Sequence, residues 1–516
     1  MHRLLISAAH KSSGKTTISL GICAALRARG LRVQPLKKGP DYIDPMWLGL
    51  AAGRPCHNLD FFLMGHEEIL ATIAARAGDA DIAIIEGNKG LYDGLDLDGS
   101  NSNAALARLA GAPVVLVIDA RGMTRGIAPL LLGYQRFDTN LRIAGVILNR
   151  LGGSRHESKL RAVIEHYTDV PVVGAVHNND ALDIVERHLG LMPSNEDTAA
   201  AARIRAIADV VAAQVDLDRL LAIAASAPAL GVTEAVVAPV IAPPLSRGEK
   251  GRAVQAQSSL TPSLSRKERG SDTKSTVRSA LTLASPGGRG NLEMNPVRLA
   301  IARDAAFGFY YPGDLEALGE SGAEIVFFDS LRDARLPPCD ALFIGGGFPE
   351  TQMAQLEANA GLRHDIRAHI ENGLPAYAEC GGLMYLTRSI AWKGRRCEMA
   401  GVLPADTMME DRPQGRGYVR LRETGHGLWA PAESPGDEVR AHEFHYSRIE
   451  NLPADTTFAY DVLRGFGTDG NHDGIVHRNL LASYTHLRDL ASNHWAQRFM
   501  QFVRNCNRRT HDDQPH

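Results

Sequence analysis

The string Ala8-Ala9-His10-Lys11-Ser12-Ser13-Gly14-Lys15-Thr16-Thr17 carries the residue types of a phosphate grip. Backbone N–H groups of a tight loop that opens onto a helix N-terminus can wrap an anion. Lys15 brings a positive charge to β- and γ-phosphates, and the Thr16 hydroxyl is a hard oxygen that suits Mg²⁺. Ser12, Ser13, Gly14, Lys15, Thr16 and Thr17 are therefore expected to bind a nucleotide. The general pattern G-x-x-x-x-G-K-[ST] asks for Gly where this chain has Ala9.

Two more strings group charge with turn residues. Lys37-Lys38-Gly39-Pro40-Asp41-Tyr42-Ile43-Asp44-Pro45 places two lysines and two carboxylates in a stiff loop. That set suits a Mg·ATP and acidic-substrate site, and it equally suits a solvated turn. Glu86 opens Glu86-Gly87-Asn88-Lys89-Gly90-Leu91-Tyr92-Asp93-Gly94, where it either reaches Mg²⁺ or a reacting carboxylate, or caps a helix. Asp119 is placed to contact a metal through water, and Asn149 to read a nucleotide base.

A different chemistry stands in Leu374-Pro375-Ala376-Tyr377-Ala378-Glu379-Cys380-Gly381-Gly382-Leu383. An apolar run, a Cys at a Gly-flanked turn and a following helix make a nucleophile elbow. The turn projects the sulfur, and the helix N-terminus favours thiolate. A thiolate needs a base, and His486 in Leu481-Ala482-Ser483-Tyr484-Thr485-His486 follows an apolar strand. His442 and His445 compete for the role, and nothing near them completes a zinc ligand set. Gly345-Gly346-Gly347 ends another apolar run and makes either half of an oxyanion hole or a tight turn.

These groups need elements that hold them. The runs Leu4–Ser7, Val33–Leu36, Ile82–Ile85, Val114–Ile118, Ile143–Leu148 and Val170–Val176 alternate with helical patterns. Continuous rather than alternating apolar character predicts strands buried on both faces of a mostly parallel, doubly wound sheet. Ligands of such sheets gather at the carboxyl ends of strands, where the charged strings fall. A second α/β sheet is predicted from Val297–Ala302, Ala323–Phe328 and Ala341–Ile344. The Ala-rich segment from Ala199 to about Ala227 reads as helix.

Gly14-Lys15-Thr16-Thr17, the Lys37–Pro45 string, the Glu86–Gly94 string and Glu186-Arg187-His188-Leu189-Gly190-Leu191 together resemble the cobyrinic acid a,c-diamide synthase family. So do Gly345–Glu350, Glu379–Leu383, Glu443-Phe444-His445-Tyr446-Ser447 and Ser483–His486, which match its class I glutamine amidotransferase half, a flavodoxin-like α/β domain. The resemblance implies a dethiobiotin-synthetase-like ATP domain that activates carboxylates of a tetrapyrrole with Mg²⁺. It implies that Cys380 attacks L-glutamine, that His486 is its base, and that Gly346, Gly347 and Gly381 line the oxyanion hole. It puts Thr16, Asp41 and Glu86 on the metal, and Lys38, Asp41, Tyr42, Ile43, Asp44, Asn88 and Lys89 at the substrate. Arg488 stands where many such glutaminases have Glu, so a Cys–His dyad with no third member is expected. Ammonia must reach the activated carboxylate, so the two sites are expected to face a common interface. Asn88-Lys89 and His177-Asn178-Asn179-Asp180 depart from the family pattern, which raises sirohaem or another sirohydrochlorin as an alternative substrate.

With 516 residues, two or three domains are expected. The boundaries read as an ATP domain over 1–228, a low-complexity disordered linker over 229–295, an amidotransferase domain over 296–506 and a flexible tail over 507–516. The linker carries the degenerate repeat Pro244–Gly251 and Pro262–Gly270. A net charge of −3 argues against nucleic acid, and no apolar run is long enough to span a bilayer. The six scattered cysteines, without C-x-x-C, and the lack of a signal peptide fit the cytoplasm. A homodimer is compatible with this reading. Two other classes compete: a nucleotide-switched scaffold ATPase, which leaves Cys380 and His486 idle, and a bare glutaminase with a degenerate synthetase half.

Overall fold

Alternate residues of the first strand feed two separate cores, and this explains why its sequence is continuously apolar. In the computed structural model, which describes residues 1–184, 186–187, 190–231, 296–429 and 438–512, strand β1 is Arg3–Ala8. Its Leu4 and Ile6 enter one buried cluster, and Leu5 enters the other on the opposite face. The remaining strands are β2 (Val33–Lys38), β3 (His57–Leu59), β4 (Ile82–Glu86), β5 (Val114–Asp119), β6 (Ile143–Leu151) and β7 (Val172–His177). The order is β3-β2-β4-β1-β5-β6-β7, and all neighbours are parallel. Helices α1 (Lys15–Ala28), α2 (Ile43–Ala52), α3 (His66–Ala77), α4 (Asn103–Leu109), α5 (Ile127–Phe137), α6 (Ser154–Tyr167), α7 (Ala200–Gln214) and α8 (Leu217–Ala225) complete the half.

Residues Ile18, Trp47, Ile207 and Leu220 of α1, α2, α7 and α8 fill the first cluster. Ile69, Leu106, Leu131 and Leu160 of α3 to α6 fill the second. The sheet is therefore doubly wound, as expected, with β1 flanked by β4 and β5 at its centre. The single helix expected over 199–227 is two. It breaks at Val215-Asp216, where the Asp216 N–H donates to the Val173 carbonyl and the Asp216 side chain accepts from Arg219 N. Strand β3 has too few residues to announce itself in the sequence. The string Glu186–Leu191 contributes β8 (Glu186–Arg187) and β9 (Gly190–Leu191), an antiparallel pair.

The second half is also α/β. Its strands are β10 (Val297–Ala302), β11 (Phe307–Phe309), β12 (Ala323–Phe328), β13 (Ala341–Ile344), β14 (Gly346–Gly347), β15 (Ala376–Glu379), β16 (Ser389–Trp392), β17 (Arg395–Glu398), β18 (Asp406–Met409), β19 (Gly415–Glu423), β20 (Glu438–His445), β21 (Ser447–Glu450), β22 (Thr457–Arg464), β23 (His472–His477) and β24 (Leu480–Ser483). Nine of them form the sheet β12-β10-β13-β15-β24-β23-β22-β19-β20. The β12 to β24 part is parallel and the rest antiparallel. Helices α9 (Pro312–Glu320), α10 (Pro349–Ala358), α11 (Ala360–Glu371), α12 (Gly381–Leu386) and α13 (Trp495–Asp512) accompany it.

Helix α13 runs on through Asp512, past residue 507, where a tail was expected. The expected linker lies outside the described residues except for 229–231, where Leu230 packs on the first half's core. The two halves belong to one compact unit and are tied by buried polar contacts. The Arg488 guanidinium donates to the Asn58 carbonyl at 2.6 Å, and the Tyr418 hydroxyl to Asp60 Oδ2 at 2.7 Å. His57 meets Glu316 at 3.1 Å, and Phe62 stacks on Tyr418 with centroids 4.4 Å apart.

Candidate active site

The nucleotide loop leaves the carboxyl end of β1 and enters α1 through Gly14, whose φ of 79° is left-handed. Ser12 shares that region with φ 65°, whereas Ala9 stays out of it. A side chain is thus tolerated where the general pattern asks for Gly. The loop is braced from the end of β6: Asn149 Nδ2 donates to Ser13 O at 2.9 Å, and Arg150 donates to Ser12 O at 2.8 Å. Asn149, expected to read a base, places its buried amide nitrogen on the nucleotide loop. Asp119 is also committed, to Arg121 at 2.7 Å and Arg150 at 2.9 Å. Burial opposes its charge, but the two guanidiniums and the Arg121 N–H hold its carboxyl at about 2.

Beside the loop, β2, β4 and the start of α2 bring together Lys15, Thr16, Lys37, Asp41, Asp44 and Glu86. Lys37, missed as a site residue, is the hub. Its ammonium lies 2.6 Å from Glu86 Oε1 and 3.6 Å from Asp41 Oδ2, and it is bonded to Asp44 Oδ2. Burial disfavours the Lys37 charge, but Asp44, Glu86 and Asp41 outweigh it and raise its pKa well above the ordinary lysine value. Adjacent lysines of a strand point to opposite faces, so alternation along β2 was the available signal.

Lys38 faces the other way, 3.5 Å from Asn88 Oδ1. Burial, aided by the charges of Lys89 and Lys37 and resisted by Asp60, lowers its pKa to about 8. Asn88 is half-buried and Lys89 exposed, so these three members of the expected substrate set share one end of the sheet.

Of the expected metal set, Thr16 and Glu86 adjoin each other, and Asp41 joins them through Lys37. Asp41 Oδ1 accepts from the Ile43 and Asp44 N–H groups at 3.0 and 3.3 Å, which fixes the first turn of α2. It is Asp44 Oδ2 that approaches Thr16 Oγ1, at 3.3 Å, while Glu86 Oε1 lies 3.2 Å from the same hydroxyl. Glu86 Oε2 is buried with no hydrogen-bond partner. A hydroxyl, an orphaned carboxylate oxygen and a second carboxylate fit Mg²⁺, which takes few protein oxygens and fills its shell with phosphate and water. Among the described residues no cluster of three or more acidic, His or Cys side chains forms a closed metal cage. Of Tyr42 and Ile43, expected at the substrate, Tyr42 is 8% exposed and packs on Phe309 and Tyr311 of the second half, and Ile43 lies against the same cluster.

At the second centre, register does the positioning. β15 and β24 are parallel with Glu379 opposite Ser483, so Cys380 and His486 leave the same sheet edge. Cys380 has φ 47° and ψ −101°, a strained conformation held by its N–H on Ser483 O at 2.7 Å. It sits at the N-terminus of α12, as an elbow requires. His486 interacts with Cys380, and its Nδ1, buried with no hydrogen bond, lies 3.4 Å from Glu379 Oε2.

A carboxylate that the sequence reading did not name stands beside the expected dyad. Glu379 lies on the strand before the nucleophile, and its Oε1 is fixed by Tyr377 Oη at 2.6 Å and Leu487 N at 2.9 Å. Burial works against the imidazolium, but Cys380 and Glu379 overcome it and raise His486 to about 10. Arg488, two residues on, is turned out of the site toward β3.

The glycines are tight where the resemblance puts the oxyanion hole. A Cβ on Gly381 would stand 2.9 Å from Gly347 N, and one on Gly346 2.5 Å from His486 Cε1. The competing histidines are otherwise employed. His442 stacks on His486 at 5.0 Å, accepts or donates at Tyr311 Oη, and is held neutral by burial and the neighbouring charges of His486 and Arg488. His445 meets Ser447 O at 2.8 Å and stacks on Tyr484. His177, in the string that departs from the family pattern, pairs with Glu157 at 2.8 Å.

Comparison with known proteins agrees with this geometry. Residues 5–191 match the CobQ/CobB/MinD/ParA nucleotide binding domain, and residues 298–494 match the CobB/CobQ-like glutamine amidotransferase domain. A cobyrinate a,c-diamide synthase of Magnetococcus marinus is 44% identical over 502 residues, covering 97% of this chain and 97% of its own length. The Methanosarcina barkeri protein of the same name is 39% identical, covering 98% and 96%. That of Picrophilus torridus is 38% identical, covering 98% and 99%. With both domains matched and relatives aligned from end to end, the chain belongs to the cobyrinate a,c-diamide synthase family.

Proposed function

We propose that this chain amidates the a and c side-chain carboxylates of cobyrinate, using ATP and L-glutamine. The observation that carries the proposal is the presence, in one compact unit, of a lysine–carboxylate cluster at a nucleotide loop and a Cys–His–Glu set at a nucleophile elbow. A scaffold ATPase has no use for the second centre.

Cys380, as thiolate, attacks the side-chain amide carbon of glutamine. The Gly381 N–H, with that of Gly347 beside it, donates to the carbonyl oxygen as negative charge develops on it. His486, protonated through the neutral range, gives its proton to the departing ammonia. Water then hydrolyses the thioester to glutamate with His486 as base. In the other half a substrate carboxylate attacks the γ-phosphorus of ATP, the bond to the β–γ bridging oxygen breaks, ADP leaves, and the carboxylate becomes an acyl phosphate. The loop amides and Lys15 hold the phosphate oxygens through the transfer. Thr16, Glu86 and Asp44 would hold a magnesium ion, which would supply neutralisation of the phosphate charge. Ammonia displaces the phosphate from the acyl carbon and leaves the amide. Lys38, Asn88 and Lys89 offer a positive, hydrogen-bonding edge for a polycarboxylate.

Both centres lie within one chain, so this chemistry does not require a homodimer. The cytoplasm suits it, because ATP and glutamine are present and a reactive thiol stays reduced there. The experiment is mass spectrometry of products formed from Mg·ATP, amide-¹⁵N glutamine and either cobyrinic acid or sirohaem. Doubly labelled diamide from cobyrinic acid is expected. Labelled amide from sirohaem alone would move the substrate assignment, and the absence of any labelled product would overturn the reading.

A further inference from the structure

The imidazole of His486 is contacted by groups from both halves of the chain. Four belong to its own half: Cys380, the Glu379 carboxylate, the Gly346 backbone and the face of His442. The fifth is the ring of Tyr42, whose centroid lies 5.1 Å from that of His486. Tyr42 is sequestered among Phe309 at 5.3 Å, Tyr311 at 4.4 Å and His442 at 5.6 Å. Its backbone is no less constrained. It sits between Asp41, whose carboxylate caps the turn, and Asp44, which is bonded to Lys37 and lies near Thr16.

We infer that Tyr42 is a positioning residue of the glutaminase centre, supplied by the synthetase loop: its ring is the wall that holds His486 in line with Cys380. The physical reason is that the ring, 8% exposed, is packed into the same buried aromatic group as Phe309, Tyr311, His442 and His486. Removing it leaves a void beside an imidazole whose productive orientation is narrow. The contact is between rings tilted at 49°, and the buried Tyr42 hydroxyl has no hydrogen-bond partner, so the ring rather than the hydroxyl is expected to matter. One residue thereby joins the backbone that presents the ATP-site carboxylates to the imidazole that releases ammonia. The inference rests on Cys380 being the glutamine nucleophile.

The test uses the full chain with Tyr42→Ala, Tyr42→Leu and Tyr42→Phe. Two rates are compared: glutamate release from glutamine, and ATP-dependent amidation of cobyrinic acid driven by ammonium chloride. Tyr42→Ala and Tyr42→Leu are expected to lower kcat for glutamate release by roughly 10- to 100-fold, with the KM for glutamine little changed. The ammonium-driven rate should fall by a smaller factor, and Tyr42→Phe should restore most of the loss. The leucine variant keeps bulk without the ring, so the test survives if the alanine variant does not fold. Equal loss of both rates, an unchanged kcat for glutamate release, or no rescue by phenylalanine would overturn the inference. A wild-type chain that releases no glutamate would instead overturn the reading on which it rests.

Discussion

The two reactive centres are built by different means. At the nucleotide loop, long charged side chains from β2, β4, α1 and α2 converge through space, and their placement depends on who pairs with whom: Lys37 with Glu86 and Asp44, Thr16 between two carboxylates. At the elbow, backbone geometry does most of the work. A φ of 47° at Cys380, parallel register between β15 and β24, and glycines with no room for a Cβ leave few alternatives. A backbone-built centre is written in local sequence, because the strained turn demands particular neighbours. A side-chain-built centre is not, because several acids within a few residues satisfy the same pattern.

The sharpest break of this comparison is Cys380→Ala. Glutamate release should fall by roughly 10⁴-fold or more, while ammonium-driven amidation persists, as measured by labelled product. Loss of both would mean that the centres are not separable. Next is Lys37→Met, which leaves Asp44 and Glu86 facing each other in a buried site. Breaking a buried ion pair costs about 3–5 kcal/mol, so the midpoint of thermal unfolding should drop by several degrees and ATP-dependent turnover should be lost. A midpoint unchanged from wild type would show that the cluster does not depend on its hub.

Gly381→Ala tests the backbone-built centre in the same way. The added Cβ meets Gly347 N at 2.9 Å and Gly347 O at 3.0 Å, and backbone cannot swing aside. The oxyanion donors must separate, so kcat for glutamate release should fall by roughly 10²-fold with little change in ammonium-driven amidation.

The smallest effect is a shift rather than a loss. Burial, Cys380 and Glu379 together set His486 at about 10, above the free imidazole. A raised value means that the imidazolium contributes stability below the ordinary His range, and that this contribution is lost as pH rises through about 10. Glu379→Gln should move the alkaline limb of glutamate release downward by about one pH unit. An unmoved limb would mean that Glu379 only spaces the strand.

What was legible follows the same division. Cys380 and His486 were read from strand–turn–helix patterning, and the strand register brings them together as expected. At the nucleotide loop the residues from Ser12 to Thr17 were legible, yet Asp41 was chosen over Asp44 and Lys37 was passed over for Lys38. The choice between adjacent lysines is one of strand face, and the choice between nearby acids turns on which of them caps α2. Glu379 was hidden because it precedes the nucleophile, while a third member was sought after the histidine.

By itself the sequence determined the two α/β halves, the nucleotide loop and the elbow. Each depends on residues a few positions apart, where backbone conformation and apolar periodicity act. Tertiary structure alone decided that Tyr42 lies against His486 and that Arg488 crosses to Asn58. Those partners are hundreds of residues apart in the chain. Their meeting depends on how two finished surfaces dock, and no local pattern of side chains encodes it.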